Sequence, residues 1–436
     1  MKKFIRLLSC ILCFALLLSA PVQTPALAAE TDMPMLIASN PMAGVTGTVI
    51  EVQKYGNLTM STTPEEFAKA GFAYGDILTV TVGDTTLDMP LGSSYSDVDT
   101  GSLVVRMTDT QVIVAINMGN FATTYNVAVD ATVKFVLKEK EGYLGEYLLR
   151  QLKRTNERSD YASDEIFANF RAIETTGIKA GIIYRSASPI NNEIGRAAYA
   201  DKLAKANGVQ TFVNLADAKA NIKTYRAAED FNSPYYADKF DKGQVKTLNM
   251  GVDLKSEDFG KKLAKGLRFI ASNDGPYLIH CTEGKDRAGF TAAVIEALMG
   301  ASIDEIVNDY MVTYENYYGV EKGSEQWEAI AKSNIYASVA TIICGLDKDA
   351  DLSKADLSAS TRKYLKSIGM STAEIDALVN VLSAGTTYTV KAGDTLWKIA
   401  KAQLGDGSRF PEIVKLNKDL IKNPDVILIG WELKLP

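Results

Sequence analysis

Between residues 41 and about 138, apolar and polar positions alternate in short runs. The runs are "GTVIEVQKYGNLTM", "GDILTVTVGDTTLDMPL", "GSLVVRMTDTQVIVAINMG" and "ATVKFVLKE", rich in Val, Ile and Thr and punctuated by Gly and Asp. A period of two bounded by turn residues predicts short strands, hence an all-β module. One helix is expected within it: Thr63 caps it, Pro64 takes its first position and Glu66 closes a capping box.

From residue 142 to about 383 the period lengthens and helices alternate with strands. "AYADKLAKANGV" then "QTFVNL" reads helix then strand. "SEDFGKKLAKGLRFIASNDGPYLIHC" repeats that order, with Ser256 as cap and Phe259, Leu263, Leu267 and Ile270 on one face. Gly275 ends the turn, "PYLIH" is a short buried strand and "RAGFTAAVIEALMG" is the next helix. The alternation predicts an α/β domain, closed by "STAEIDALVNVL" with its capping box of Ser371 and Glu374. Residues 384–387 form a short linker, and residues 388–436 read strand, helix, helix, strand.

The 436 residues suit two to four domains. A net charge of −6 without a basic stripe argues against nucleic acid as the main partner. Residues 1–29 read as a secretory signal: Lys2, Lys3 and Arg6 precede the apolar "LLSCILCFALLLSA", and "ALAAE" offers cleavage near Ala28 or Ala29. The apolar run is short for a membrane span, so the mature protein is expected to be exported, without a stable membrane anchor. Cleavage removes Cys10 and Cys13 and leaves Cys281 and Cys344. Those two are either a disulfide or carry a reactive thiol.

The candidate chemistry lies in "HCTEGKDRAGF", residues 280–290, which holds the sole histidine, His280. A strand ends in Cys281, Thr282, Glu283, Gly284, Lys285 and Asp286 form a loop, and Arg287 opens a helix. Loop amides and the helix N-terminus would then converge on one point, a nest for a tetrahedral oxyanion. The same field favours a thiolate nucleophile at Cys281. Arg287 can hold two phosphoryl oxygens through its planar fork, and Gly284 lets the backbone come close. The competing reading is a structural cysteine beside a chance arginine; the full pattern at a strand-to-helix junction favours catalysis.

The loop closely resembles that of the bacterial branch of the tyrosine phosphatases, His-Cys-x-x-Gly-Lys-Asp-Arg-Thr-Gly. "ANFRAI" (Asn169, Phe170, Arg171), "GIIYRSASPI" (Tyr184 to Ser186) and "VNDYMVTYENY" extend the likeness over some 240 residues. The resemblance implies attack by Cys281 on phosphorus, a phosphocysteine intermediate, and stabilisation of the equatorial oxygens by Arg287 and the loop amides. It implies no cofactor and no metal. Two aspartates compete for the general-acid role: Asp286, inside the loop where this branch of the family carries its acid, is expected to take it, and Asp253 in "NMGVDLKSEDF", where other branches place theirs, is the alternative. His280 is expected to tune the cysteine through hydrogen bonds. Arg185 either supports the site or makes a surface salt bridge. Ala288 stands where the family has Thr or Ser, whose hydroxyl would bond the thiolate. Glu283 adds negative charge beside the anion site, against highly phosphorylated substrates, while Lys285 acts the other way. Phosphotyrosine, phosphoserine or phosphothreonine, and phosphoinositides all remain open as substrates.

Two further resemblances flank this one. "KYGNLTM", "YSDVDTGSLV" and "VIVAINMGNFA" resemble the C-terminal β-barrel of the SAM hydroxide adenosyltransferases, which implies a binding or spacer barrel without adenosyl chemistry. "YTVKAGDTLWKIA" and "IVKLNKDLIKNPDVILIGWELKLP" resemble a LysM domain, which implies a βααβ fold that binds peptidoglycan or another N-acetylglucosamine glycan. Its groove would set Gly393, Asp394, Thr395 and Leu396 opposite Asn423, Pro424, Asp425 and Ile427, with Trp397 in the core. The chain thus reads as multidomain: β-barrel, α/β phosphatase fold, LysM. The function expected is that of a secreted, wall-retained phosphatase acting on phosphorylated protein or lipid. The alternatives are a wall-binding protein with an inactive phosphate-binding fold, or a phytase-like scavenger. The acidic stretch "DKDADLSKADL" lacks the glycine and distal glutamate of a calcium loop and reads as a solvated turn.

Overall fold

The computed structural model describes residues 44–383 and 387–435. The expected signal segment, with Cys10 and Cys13, lies outside the described residues, as does most of the linker.

Seven strands close into a barrel in the order β1-β2-β6-β5-β4-β3-β7. They are β1 (Val45–Val52), β2 (Leu58–Met60), β3 (Ile77–Val82), β4 (Thr85–Gly92), β5 (Leu103–Met107), β6 (Val112–Ile116) and β7 (Thr132–Glu139). Closure removes open edges, and the alternation read from sequence turns Val49, Leu78, Val80, Met89, Val114 and Phe135 into one core. The helix Pro64–Lys69 has its capping box, Thr63 N donating to Glu66 Oε2 at 2.7 Å and Glu66 N to Thr63 Oγ1 at 3.2 Å. Its Phe67 fills the barrel, edge-on to Phe72 and Phe135. The expectation of a single helix needs correction. A second, Phe121–Tyr125, is capped by Asn120, whose Oδ1 accepts from Thr123 N at 2.8 Å. Five residues are too few to show a helical period.

The α/β region is built on a five-stranded sheet, order β11-β10-β12-β9-β8. Its strands are β8 (Arg171–Ala172), β9 (Ile183–Ser186), β10 (Thr211–Asn214), β11 (Val245–Thr247) and β12 (Tyr277–His280). β9 to β12 run parallel, while β8 is antiparallel to β9. The helix Glu257–Ala271 buries Phe259, Leu263, Leu267 and Ile270 as expected, and Ser256 caps it. β12 is wholly buried at the centre, and the helix Asp286–Met299 follows it. The β12-to-helix loop therefore opens at the carboxyl ends of the strands, where ligand crevices of open α/β sheets form.

A short helix, Leu144–Gln151, joins the barrel to this region. Tyr143 N donates to Gly75 O at 2.7 Å and Gln151 Nε2 to Asp97 Oδ1 at 3.0 Å on the barrel side. On the other side Gly145 abuts Ala329 and Ser333, whose Oγ would lie 2.0 Å from any Cβ added there.

The C-terminal module pairs β13 (Thr387–Thr389) with β14 (Glu432–Lys434) around the helices Leu396–Leu404 and Phe410–Leu416, the βααβ order expected. Two side chains depart from their expected places. Leu396, read as groove lining, is buried with Ile399 and Ala400 on the inward face of its helix. Trp397 falls beside that face and is 53% exposed, its ring lying against Gly407 instead of in the core.

Candidate active site

Cys281 leaves the end of β12 with 3% of its surface exposed and its thiol unbridged; Cys344 is free as well, so the disulfide alternative does not hold. Among the described residues, the backbone N–H groups of Thr282 through Arg287 donate to no protein acceptor. Gly284 is left-handed at φ +73° and Lys285 returns to φ −91°, the alternation that turns successive amides toward one anion. The loop helix begins at Asp286 and adds its positive end.

Arg287 is braced before any phosphate arrives. Its Nη1 donates to Met250 O at 3.0 Å and its Nη2 to Thr282 Oγ1 at 3.3 Å. Its Nε is buried without a partner among the described residues. A buried guanidinium N–H left unpaired is costly until an acceptor reaches it.

Beneath the loop lies a network that sequence reading glimpsed only in part. Arg185 is fully buried, which decides against a surface salt bridge. Its Nη2 donates to Gly284 O at 2.8 Å and Lys285 O at 3.2 Å, and its Nη1 to Asp309 Oδ2 at 2.6 Å. Gly289 makes room for it: a Cβ there would lie 2.8 Å from Arg185 Nη2. Arg171 donates to the other Asp309 oxygen at 3.0 Å and to Asn169 Oδ1 at 2.7 Å. Asn169, left-handed at φ +49°, turns its Nδ2 to Glu283 O at 3.3 Å. Burial alone would raise the Asp309 carboxyl, but the two arginines outweigh it and hold it charged. Glu296, buried nearby, goes the other way: burial and then Asp309 push its carboxyl well up.

The remaining sequence-named residues fall at different distances from the loop's work. Asp286 opens the loop helix with 54% of its side chain exposed, 3.9 Å from Lys285 Nζ. Half the side chain is open to solvent, yet the loop packed around the rest desolvates the carboxyl enough to push it above the usual range, with Glu283 adding to the push and Lys285 opposing it. Asp253 is exposed, and its Oδ1 accepts from Lys255 N at 3.0 Å, closing a turn before the helix Glu257–Ala271. His280 is buried, edge-on to Tyr236 at 5.6 Å, and neither ring nitrogen has a hydrogen-bond partner among the described residues. No well-formed hydrogen bond of the expected tuning kind reaches the ring among those residues, and only a weak interaction with the Cys281 backbone opposes its desolvation. Burial drives its pKa down to about 3, so the ring is neutral at physiological pH. Ala288 is fully buried with no hydroxyl to offer.

Glu283 is not a bare charge beside the nest. Arg154 Nη2 bonds its Oε1, and Lys285 Nζ lies 3.4 Å from its Oε2. Burial would raise the carboxyl; Lys285 and Arg154 outweigh that and hold it below its ordinary range. Arg154, Asp309 and Tyr317, whose hydroxyl donates to Glu283 O at 3.0 Å, had no assigned role in the sequence reading.

The tyrosine phosphatase family model matches residues 167–384, half of the 436. The chain belongs to that family. The LysM domain model matches residues 388–436, and the model of the SAM hydroxide adenosyltransferase C-terminal domain matches residues 47–134, so all three resemblances read from sequence are met. Over 59 residues the chain is 39% identical to a tyrosine-protein phosphatase of Nostoc commune, covering 14% of this chain and 20% of that protein. Over 67 residues it is 37% identical to the potassium binding protein Kbp of Escherichia coli, covering 15% and 45%. The chain thus spans less than half the length of these curated relatives. Among solved structures it is similar to the core catalytic domain of the PP-IP phosphatase SIW14 of S. cerevisiae, at 17% identity and a TM-score of 0.24, covering 38% of this chain and 85% of that one.

In the C-terminal module Gly393 is left-handed at φ +82° and Asp394 Oδ2 accepts from Tyr388 Oη and Lys391 N, both at 2.8 Å. Thr395 caps the helix, receiving Lys398 N at 3.2 Å. Asn423, Pro424 and Asp425 are exposed, and Ile427 is half-buried against the module's core. Gly393 shapes one turn by its backbone and Asp394 and Thr395 by their side chains, while Asn423 to Asp425 lie exposed in another stretch.

Proposed function

We propose that the chain is a phosphomonoesterase of the tyrosine phosphatase kind, exported and retained at the wall by its LysM module. The observation that carries the reading is the unbridged Cys281 at the base of a loop whose amides lack acceptors, with Arg287 already braced beside it. Cys281 Sγ attacks phosphorus; the S–P bond forms as the P–O ester bond breaks. The loop amides and the Arg287 fork stabilise charge on the equatorial oxygens, an arrangement worth several kcal/mol when preorganised. Asp286, raised toward protonation and open to solvent at the start of the loop helix, supplies the proton to the leaving oxygen. As a carboxylate it then takes a proton from the water that attacks phosphocysteine, releasing phosphate and restoring the thiolate. Arg185 acts by holding the loop carbonyls outward so that the amides point inward.

Purified chain should hydrolyse p-nitrophenyl phosphate, and Cys281→Ser should abolish turnover. Turnover that survives Cys281→Ser would end the proposal. For the wall, chain ending at residue 383 should no longer co-sediment with peptidoglycan while keeping its turnover; co-sedimentation equal to the full chain would remove the LysM role.

A further inference from the structure

A layer of charge surrounds the phosphate loop that the proposed chemistry does not use. Arg154 precedes the segment matched by the family model. Besides bonding Glu283, it donates through Nη1 to Asn156 Oδ1 at 2.6 Å, and its guanidinium lies 5.5 Å over the Tyr317 ring. Asn156 Oδ1 is fixed in turn by Arg196 Nη1 at 2.7 Å, a fully buried arginine stacked on Phe167 and Tyr317 at 4.5 and 4.7 Å. Tyr317 also holds the Glu283 carbonyl. Side chain and main chain of Glu283 are thus seated by one assembled unit.

The charges in this layer are well covered. Arg154, Lys285 and Glu283 keep only 16%, 15% and 24% of their side-chain surface exposed. Solvent and salt therefore screen them less than surface pairs. Without Glu283, Arg154 and Lys285 would present two positive charges beside the reacting phosphate, a ready seat for a second anionic group. Glu283 engages both cations and sets its own negative charge where that group would lie. To bind there, a second phosphate would have to displace a covered ion pair and then face the released carboxylate.

From this arrangement, and resting on the phosphatase reading above, we infer that Glu283, seated by Arg154, fixes the substrate class. The site takes an ester bearing one phosphate with no second anionic group beside it, such as a phosphorylated residue in a neutral or basic peptide. It discriminates against acidic flanks and against polyphosphorylated inositols. Glu283 and Arg154 are specificity residues here; neither enters the bond-making steps.

The test measures kcat/KM of the full chain on two phosphotyrosine peptides that differ only in neutral or Asp/Glu flanks, and on inositol hexakisphosphate. Wild type, Glu283→Gln and the double variant Glu283→Gln/Arg154→Gln are compared by the acidic-to-neutral ratio, which a general loss of turnover or of folded fraction leaves unchanged. Wild type should favour the neutral peptide and turn over hexakisphosphate more slowly than either peptide. Glu283→Gln should raise the acidic-to-neutral ratio at least about tenfold, and removing Arg154 as well should take back at least about threefold of that gain. A ratio unmoved by Glu283→Gln within about twofold, or a wild type that prefers hexakisphosphate, overturns the inference. Absence of Cys281-dependent turnover on all three substrates would instead sink the phosphatase reading, and this inference with it, before any ratio is compared.

Discussion

Replacing Gly284 by alanine probes whether loop shape is what makes the site. Gly284 sits at φ +73°, a conformation costing an L-residue about 1–2 kcal/mol. An added Cβ would also lie 2.4 Å from both C and O of Ser186 and 2.8 Å from Ala187 N. These are backbone atoms at the end of a buried strand and cannot rotate aside. Regaining ordinary contact at 3.4 Å from 2.4 Å requires the loop to move by about 1 Å, and misplacing catalytic groups by that much costs about 100-fold. Gly300 supplies the control, since it is left-handed at φ +97° and an added Cβ there would meet nothing within 4 Å. Gly300→Ala therefore carries the conformational cost alone. The assay is kcat/KM on p-nitrophenyl phosphate beside denaturant melts of both variants. Gly300→Ala should lose about 1–2 kcal/mol of stability with activity intact, while Gly284→Ala should lose about 100-fold in kcat/KM. Gly284→Ala within about threefold of wild type, or equal inactivation of both, would refute the argument from loop geometry.

Three other perturbations separate roles that lie close together. Asp286→Asn should slow phenyl phosphate about 100-fold or more and remove the alkaline limb of its pH profile, because acid catalysis is lost as pH rises through the raised Asp286 pKa; Asp253→Asn should leave both in place, and the reverse pattern would move the role to Asp253. Arg185→Met strips one partner from the buried Asp309 and two from loop carbonyls, which should cost about 3 kcal/mol in urea melts; a loss under about 1 kcal/mol would show that Arg171 suffices. His280 binds a proton in the unfolded chain below its ordinary 6.5 but in the folded chain only near 3. Stability should therefore fall as pH drops through that window, by up to about 1.4 kcal/mol per unit, and His280→Phe should flatten the slope relative to wild type in melts between those limits.

The parts of the site that are contiguous in sequence were legible there. Cys281, Gly284 and Arg287 are spaced by a strand, a turn and a helix start, and local geometry alone brings their groups together. Arg185 could be named from its motif but not placed, since its partner Asp309 lies 124 residues away. Arg154 is 129 residues from Glu283 and has no local signature, so a glutamate that read as a lone negative charge proved to be half of a covered pair. In the C-terminal module, Leu396 and Trp397 share a motif, yet helical phase turns one into the core and the other outward. The barrel alternation was readable because closure buries one residue in two, whereas the Phe121–Tyr125 helix was too short to leave a period.

The account stands or falls on a covalent bond between Cys281 and phosphorus. Rapid acid quenching of the chain during turnover, followed by mass spectrometry of the peptide that holds residue 281, examines that bond directly. Phosphate on Cys281, absent from Cys281→Ser and lost from the wild type once substrate is exhausted, is the expected result. Steady turnover with no phosphate on Cys281 at any quench time, or with phosphate on another residue, would contradict it.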